Sequence, residues 1–395
     1  RNRSISPLPE SLPMDRHMYH EYRIHQLVDE TMESVLGNAS SSFDSEEGSV
    51  RQVYGSGESD EKEETENEEG RDGTYLARAH WIQLQKTNRQ GVIMQSTFSY
   101  LIDLYPQTRP IWQFGKTVQE GDLVWEKRLR NDFYFRHHCA SVQAAITMIM
   151  ENKDDEGALT RVLHEMGAHH FFYDAYEPHL ELFEEAILHA MRKHLREPDQ
   201  LDEEMEKSWK ELFRHIKRHM VEGIAIQRES YLKQAITHQE YLEIVEMWTQ
   251  VDLFGMEEAG IKLCTTAIET YVSLLKSYNL TLPIPLSPNS SSDLFKHFSE
   301  LTMAAFDLTI NSYDREYGFS AVPHKLSDYA ITCMILDVCP SLVRKAFMEG
   351  LMDMLKLVLA RDTLAEGEKQ IWCKMYRVVE QVRHTREEVR GNGER

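Results

Sequence analysis

LHEMGAHHFFYDAYEPHLELFEEAIL, Leu163 to Leu188, is the stretch on which the fold turns. Leu163, Met166 and His170 recur at i, i+3, i+7 and so share one helical stripe. Asp174 and Ala175 read as a corner, and a second amphipathic helix opens after Pro178. The corner sets an imidazole, His170, beside an aromatic and apolar patch. A second imidazole, His138, lies 32 residues upstream (170 − 138) in FYFRHHCASVQAAITMIMENKDD, whose Phe135, His138, Val142, Ala145 and Ile149 line one face. Two helices that each offer one imidazole across an apolar slot predict a flat metal cofactor held between them.

Both histidines belong to doublets, and with 18 histidines in the chain a pair at this spacing is weak evidence alone. The helical faces choose the register. His137 shares its stripe with Ser141 and Ala144, and the positions four and seven before His169 are Glu165 and Val162. His138 and His170 therefore read as core-facing, and His137 and His169 as solvent-facing.

Working outward, HWIQLQKTNRQGVIMQSTFSYLIDLYP reads as two helices, QTRPIWQFGK as an irregular corner carrying Trp112 and Phe114, and SWKELFRHIKRHMVEGIAI as a last helix. No alternating strand pattern appears. The periods between 74 and 230 predict one all-α domain of about seven helices. The pattern then recurs over 235–385. Trp248 pairs with Trp81 at an offset of 167 (248 − 81), His297 with His138 at 159 (297 − 138), Pro340 with Pro178 at 162 (340 − 178), and Trp372 with Trp209 at 163 (372 − 209). Near-constant offsets predict two tandem copies of one fold rather than a short-period solenoid.

The flanks differ. Residues 1–73 lack a sustained apolar period, and from Asp44 to Asp72 twelve acidic residues face three basic ones, which is −9 of the formal −21. Such a segment buries too little apolar surface to offset chain entropy, so it reads as a disordered acidic tail; 386–395 is a short C-terminal tail. The negative balance disfavours nucleic acid as a partner, because phosphate binding needs clustered basic surface. No apolar run is long enough for a membrane span, and nothing resembles a secretory signal. Five cysteines without a C-x-x-C point to a reducing, cytoplasmic setting rather than a disulfide framework or a zinc ribbon. There is no P-loop, nucleophile elbow, H-E-x-x-H or flavin fingerprint, so enzymatic chemistry is not expected.

Several further marks converge on one family. They are Trp81 in the first helix, Pro106 after LIDLY with a bulky aromatic six residues on, Phe-x-x-His at Phe135 and His138, Gly-x-x-His at Gly167 and His170, and Trp209 opening the last helix. Together they resemble a globin, nearest to the invertebrate and neuronal types. The resemblance implies one haem b per chain. His170 becomes the proximal iron ligand, and His138 the distal residue, a hydrogen-bond donor to bound gas or a second iron ligand. It further implies that Phe98 and Val142 wall the distal side, that Trp112 stands where globins carry a wedging phenylalanine (or Phe114 does so instead), and that Ala175 and Leu180 pack on the porphyrin edge. Asp174 stands where a glycine is common.

In the second copy, counting eight residues back from Pro340 lands on Thr332, beside Cys333; His324 comes eight residues too early. Thiolate ligation at Cys333 is conceivable, but a haem-free copy that docks a protein partner, self-associates or regulates is the preferred reading. The resemblance then implies reversible binding of dioxygen or another diatomic gas, in transport, storage or sensing. The alternative is a haem-free, globin-fold interaction protein.

Overall fold

The computed structural model describes residues 73–118, 122–152, 154–174, 177–196, 199–281, 293–322 and 340–381. The expectations for the N-terminal tail up to 72, for Ala175, His324, Thr332 and Cys333, and for the C-terminal tail fall outside them. Twelve α-helices occur among the described residues, with no strand and one isolated bridge between Asp314 and Gly318. None of these helices is long and apolar enough to cross a membrane.

The first half runs α1 (Tyr75–Lys86), α2 (Gln90–Leu104), two 3-10 turns (Pro106–Ile111 and Gln113–Thr117), α3 (Trp125–Asn131), α4 (Phe133–Glu151), α5 (Glu156–Phe172), α6 (Glu177–His194) and α7 (Glu203–Gln234). The second half runs α8 (His238–Phe254), α9 (Met256–Ser277), α10 (Asp293–Ile310), α11 (Pro340–Val358) and α12 (Glu366–Glu380). Local chemistry starts the helices that matter most. The carboxylates of Asp132, Asp155 and Asp202 accept from the backbone N–H of Phe135, Ala158 and Met205 at 3.0, 2.9 and 2.7 Å, satisfying free donors at the heads of α4, α5 and α7. Thr237 and Glu240 form a capping box at α8.

Two apolar cores result. The first gathers Trp81, Phe98, Phe114, Phe135, Leu163 and Trp209; the second gathers Trp248, Phe298, Phe306, Phe347 and Trp372. In the first, the rings of Trp81 (α1) and Trp209 (α7) meet at 6.0 Å, and the Trp81 Nε1–H donates to Thr147 Oγ1 of α4 at 3.0 Å. In the second, Trp248 (α8) meets Trp372 (α12) at 6.0 Å and donates to Asp307 Oδ1 of α10 at 3.1 Å. His297, paired with His138 by spacing, is exposed: the inner face of α10 is taken by Phe295, Phe298, Thr302 and Phe306, at i, i+3, i+7 and i+11.

The α5–α7 crossing is unusually close. A Cβ built on Gly167 falls 2.1 Å from the Met220 carbonyl oxygen, and one on Gly223 falls 2.3 Å from that of His164. Only hydrogen at these two positions lets the backbones approach this far.

The halves touch at both ends of the first core. Arg109 donates through Nε to Ile102 O at 2.8 Å and through Nη1 to Tyr278 O at 3.4 Å, while Asn279 Nδ2 donates to Val118 O at 3.4 Å. At the other end, Arg377 Nη2 donates to Phe171 O at 2.6 Å, with its guanidinium 4.7 Å from the Phe171 ring centroid. Buried Asp174 receives Arg344 Nη2 on Oδ1 and lies 3.7 Å from Arg377 Nη2; Arg344 Nε also donates to Glu380 Oε2 at 2.8 Å.

Candidate functional site

Helix α4 carries His138 into a nest of aromatic rings. Phe98 of α2 meets it edge-on with centroids 4.6 Å apart, Phe114 lies at 5.9 Å and Trp112 at 6.0 Å. Phe98 also touches Phe183 of α6 at 5.8 Å. The 3-10 corner thus delivers two aromatics rather than one. Trp112 and Phe114 stack nearly parallel at 5.6 Å, with Phe114 buried against Phe135 and Trp112 half-buried. Trp112 and Phe114, the two alternatives for the wedging ring, both face His138.

Helix α5 brings in His170. Its Nδ1 lies 2.7 Å from the Met166 carbonyl oxygen, one turn back. A carbonyl only accepts, so Nδ1 carries the proton and donates, leaving the lone pair on Nε2. This fixes both tautomer and ring orientation, as a hydrogen bond to the other ring nitrogen does for a metal-ligating histidine.

Electrostatically the two imidazoles belong to one site. Burial, followed by the nearby charge of His170, pushes His138 down to about 4. Burial likewise holds His170 below the ordinary imidazole range, against the hydrogen bond to Met166. His179, at the head of α6, is pushed down to about 4 by burial and then by His170. Yet His138, His170, Val142, Met166, Leu180 and Phe183 are each only half-buried by contact area. Both imidazoles thus sit among apolar neighbours while keeping some accessible surface.

His137 and His169, expected to face solvent, are half-buried as well. Burial does not separate the members of either doublet, because the helices carrying them are covered on more than one side. The neighbours do: His138 faces Phe98, Trp112 and Phe114, whereas His137 lies 6.0 Å from Phe133, an exposed ring at the start of α4.

Three participants carried no sequence signal strong enough to single them out. Phe183 and His179 lie on α6 within an ordinary amphipathic pattern. Met166 acts through its carbonyl, which any residue supplies. Two surface grooves, one along Leu123–Asn131 and one between α6 and α7 around Glu181, Arg192 and Lys217, border neither His138 nor His170.

Neutral imidazoles, one with its second nitrogen tied to a carbonyl, set among flat apolar and aromatic surfaces, make a donor set and a shape that suit an iron porphyrin. No curated protein matches the chain. The globin family model matches residues 95–220, from α2 into α7, and that span contains His138, His170 and the aromatic corner. Residues 95–220 are a globin domain.

Proposed function

We propose that this globin domain holds one haem b between His138 and His170 and binds dioxygen or another diatomic gas reversibly. The single observation that carries the reading is His170, whose Nδ1–H is committed to Met166 O at 2.7 Å, which leaves the Nε2 lone pair available as a ligand. When bound, the haem supplies an iron centre that takes up the gas. The chain's residues do the rest. His170 is the proximal ligand, oriented by Met166. His138, held neutral by its surroundings, offers a ring nitrogen as hydrogen-bond donor to bound gas or as a second iron ligand. Phe98 and Val142 form the distal wall, Trp112 and Phe114 the flank, and Leu180 the proximal edge. These apolar groups keep bulk water from the bound gas.

The second half, 235–385, is read as a haem-free, globin-like copy that docks or regulates. Its paired tryptophans support the shared fold, and the outward direction of His297 argues against a distal pocket there.

The test is a visible spectrum of the purified full chain. One haem per chain with a Soret band, lost in H170A and shifted in H138A, is the expected outcome. A folded wild-type chain that takes up no haem refutes the reading.

A further inference from the structure

A second cluster of ligand-type side chains lies where α5 crosses α7. His164 Nε2 and His219 Nδ1 lie 3.0 and 2.9 Å from the same oxygen, Glu222 Oε2, and all three atoms fall within 4.8 Å of one another. We propose that His164, His219 and Glu222 form a binding site for a divalent first-row transition ion of the zinc class, bridging α5 and α7. Two imidazoles and one carboxylate are the donor set of a three-ligand zinc site with an open fourth position for water. The site is independent of the haem reading.

The helices preorganise these ligands. His219 and Glu222 are three apart on α7 and so share a face. The Gly223 Cα–H packs on the carbonyl of His164 itself, and Gly167 packs on Met220, so the crossing is tightest at this spot. A tetrahedral ion with bonds of about 2.0–2.1 Å separates its donor atoms by about 3.4 Å. Two of the pairs need to open by only a few tenths of an ångström, within the reach of side-chain rotation. Side-chain exposures of 31% for His164 and 47% for Glu222, against 10% for His219, leave an entry from solvent.

The protons are accounted for. Without an ion, His164 Nε2–H and His219 Nδ1–H both donate to Glu222, and the exposed Arg218 donates through Nη2 to His219 Nε2 at 3.0 Å. Metal binding moves each imidazole proton to the other ring nitrogen, with no net release. His219 Nε2–H can no longer accept from Arg218, which must swing away. Arg218 is therefore the site's competitor, through both its hydrogen bond and its charge. The His215 ring, 4.6 Å from that of His219, flanks the site on the α7 side.

The test titrates the full chain with zinc against a chromophoric chelator, in a C373S background that removes the one exposed thiol among the described residues. One zinc per chain is expected at this site, with affinity weakened more than about 100-fold in H164Q and E222Q, beyond the usual effect of losing an outer-shell partner. Both positions lie at the surface, so the variants should fold as wild type by circular dichroism. R218A should tighten binding, and X-ray absorption of the zinc adduct should show two imidazole nitrogens with oxygen ligands. Affinity left unchanged by H164Q and E222Q, or by R218A, overturns the proposal, as does a sulfur-dominated coordination shell.

Discussion

Asp174→Asn isolates one charge in the contact between the halves. Asp174 is 6% exposed and sits at φ +57, in the left-handed region that asparagine also tolerates. The substitution therefore keeps shape and backbone and removes only the negative charge. Around it stand two guanidiniums, Arg344 and Arg377, and one further carboxylate, Glu380, a neutral set of four. In the variant that set carries one uncompensated positive charge. Removing one partner of a buried ion pair costs about 3–5 kcal/mol. Glu380 still holds Arg344, and Phe171 O still holds Arg377 at 2.6 Å, so the low end, about 3 kcal/mol, is expected here. Burial pushes the Asp174 carboxyl above the usual range even against Arg344, so the charge is costly to bury, which also sets the expected loss at the low end. Urea unfolding of the full chain, followed by circular dichroism, measures the loss as a lower midpoint. In D174N/R344M the set is neutral again, and the double variant should be no less stable than D174N alone. A D174N chain within about 0.5 kcal/mol of wild type, the range of an ordinary surface change, would refute the reasoning.

Gly167→Ala places a methyl 2.1 Å from the Met220 carbonyl, where only movement of a whole helix relieves the clash; a loss of about 1–3 kcal/mol and a lower melting temperature are expected. Trp209→Phe removes the donor that meets His80 Nδ1 at 3.0 Å in a buried setting, and should cost about 1–3 kcal/mol in the same urea assay. His138 and His179 both titrate near 4 when folded, against 6.5 unfolded, so below pH 6.5 the unfolded chain binds protons that the native haem-free chain refuses. Stability of the haem-free chain is then full above pH 6.5 and falls by up to about 3 kcal/mol per histidine towards pH 4; a midpoint flat across that window contradicts the assigned environments.

What could be read from sequence was local. The stripe through Leu163, Met166 and His170, and that through Phe135, His138 and Ile149, placed both imidazoles because a 3.6-residue period converts spacing into facing. The same logic does not report what covers the opposite face, so the half-burial of His137 and His169 was illegible. It also gave no warning at His297, which pairs with His138 by spacing yet lies exposed, off the face taken by Phe295, Phe298, Thr302 and Phe306. Short α3 has too few residues for its period to register. Contacts between distant segments left no local trace at all: nothing in YRVVEQV links Arg377 to Phe171, 206 residues earlier, and nothing in RHMVEG points to His164.

Asp174 looked in the sequence like a mere departure, an aspartate where a glycine is common. Its geometry gives the substitution a cause. The residue just past a helix often turns left-handed to end it, and glycine does so at least strain. Asp174 does so at φ +57, accepts the modest cost, and contributes a carboxylate that glycine lacks. That carboxylate holds Arg344 and attracts Arg377, and Arg377 then donates to the Phe171 carbonyl at the C-terminal end of α5, where a cation also meets the negative end of the helix dipole. The helix bearing His170 is therefore capped by a residue of the other half. Arg109 and Asn279 join the halves again at the aromatic corner beyond His138. The second half thus holds the first at the aromatic corner and at the end of α5, and any shift of α5 has to work against Arg377.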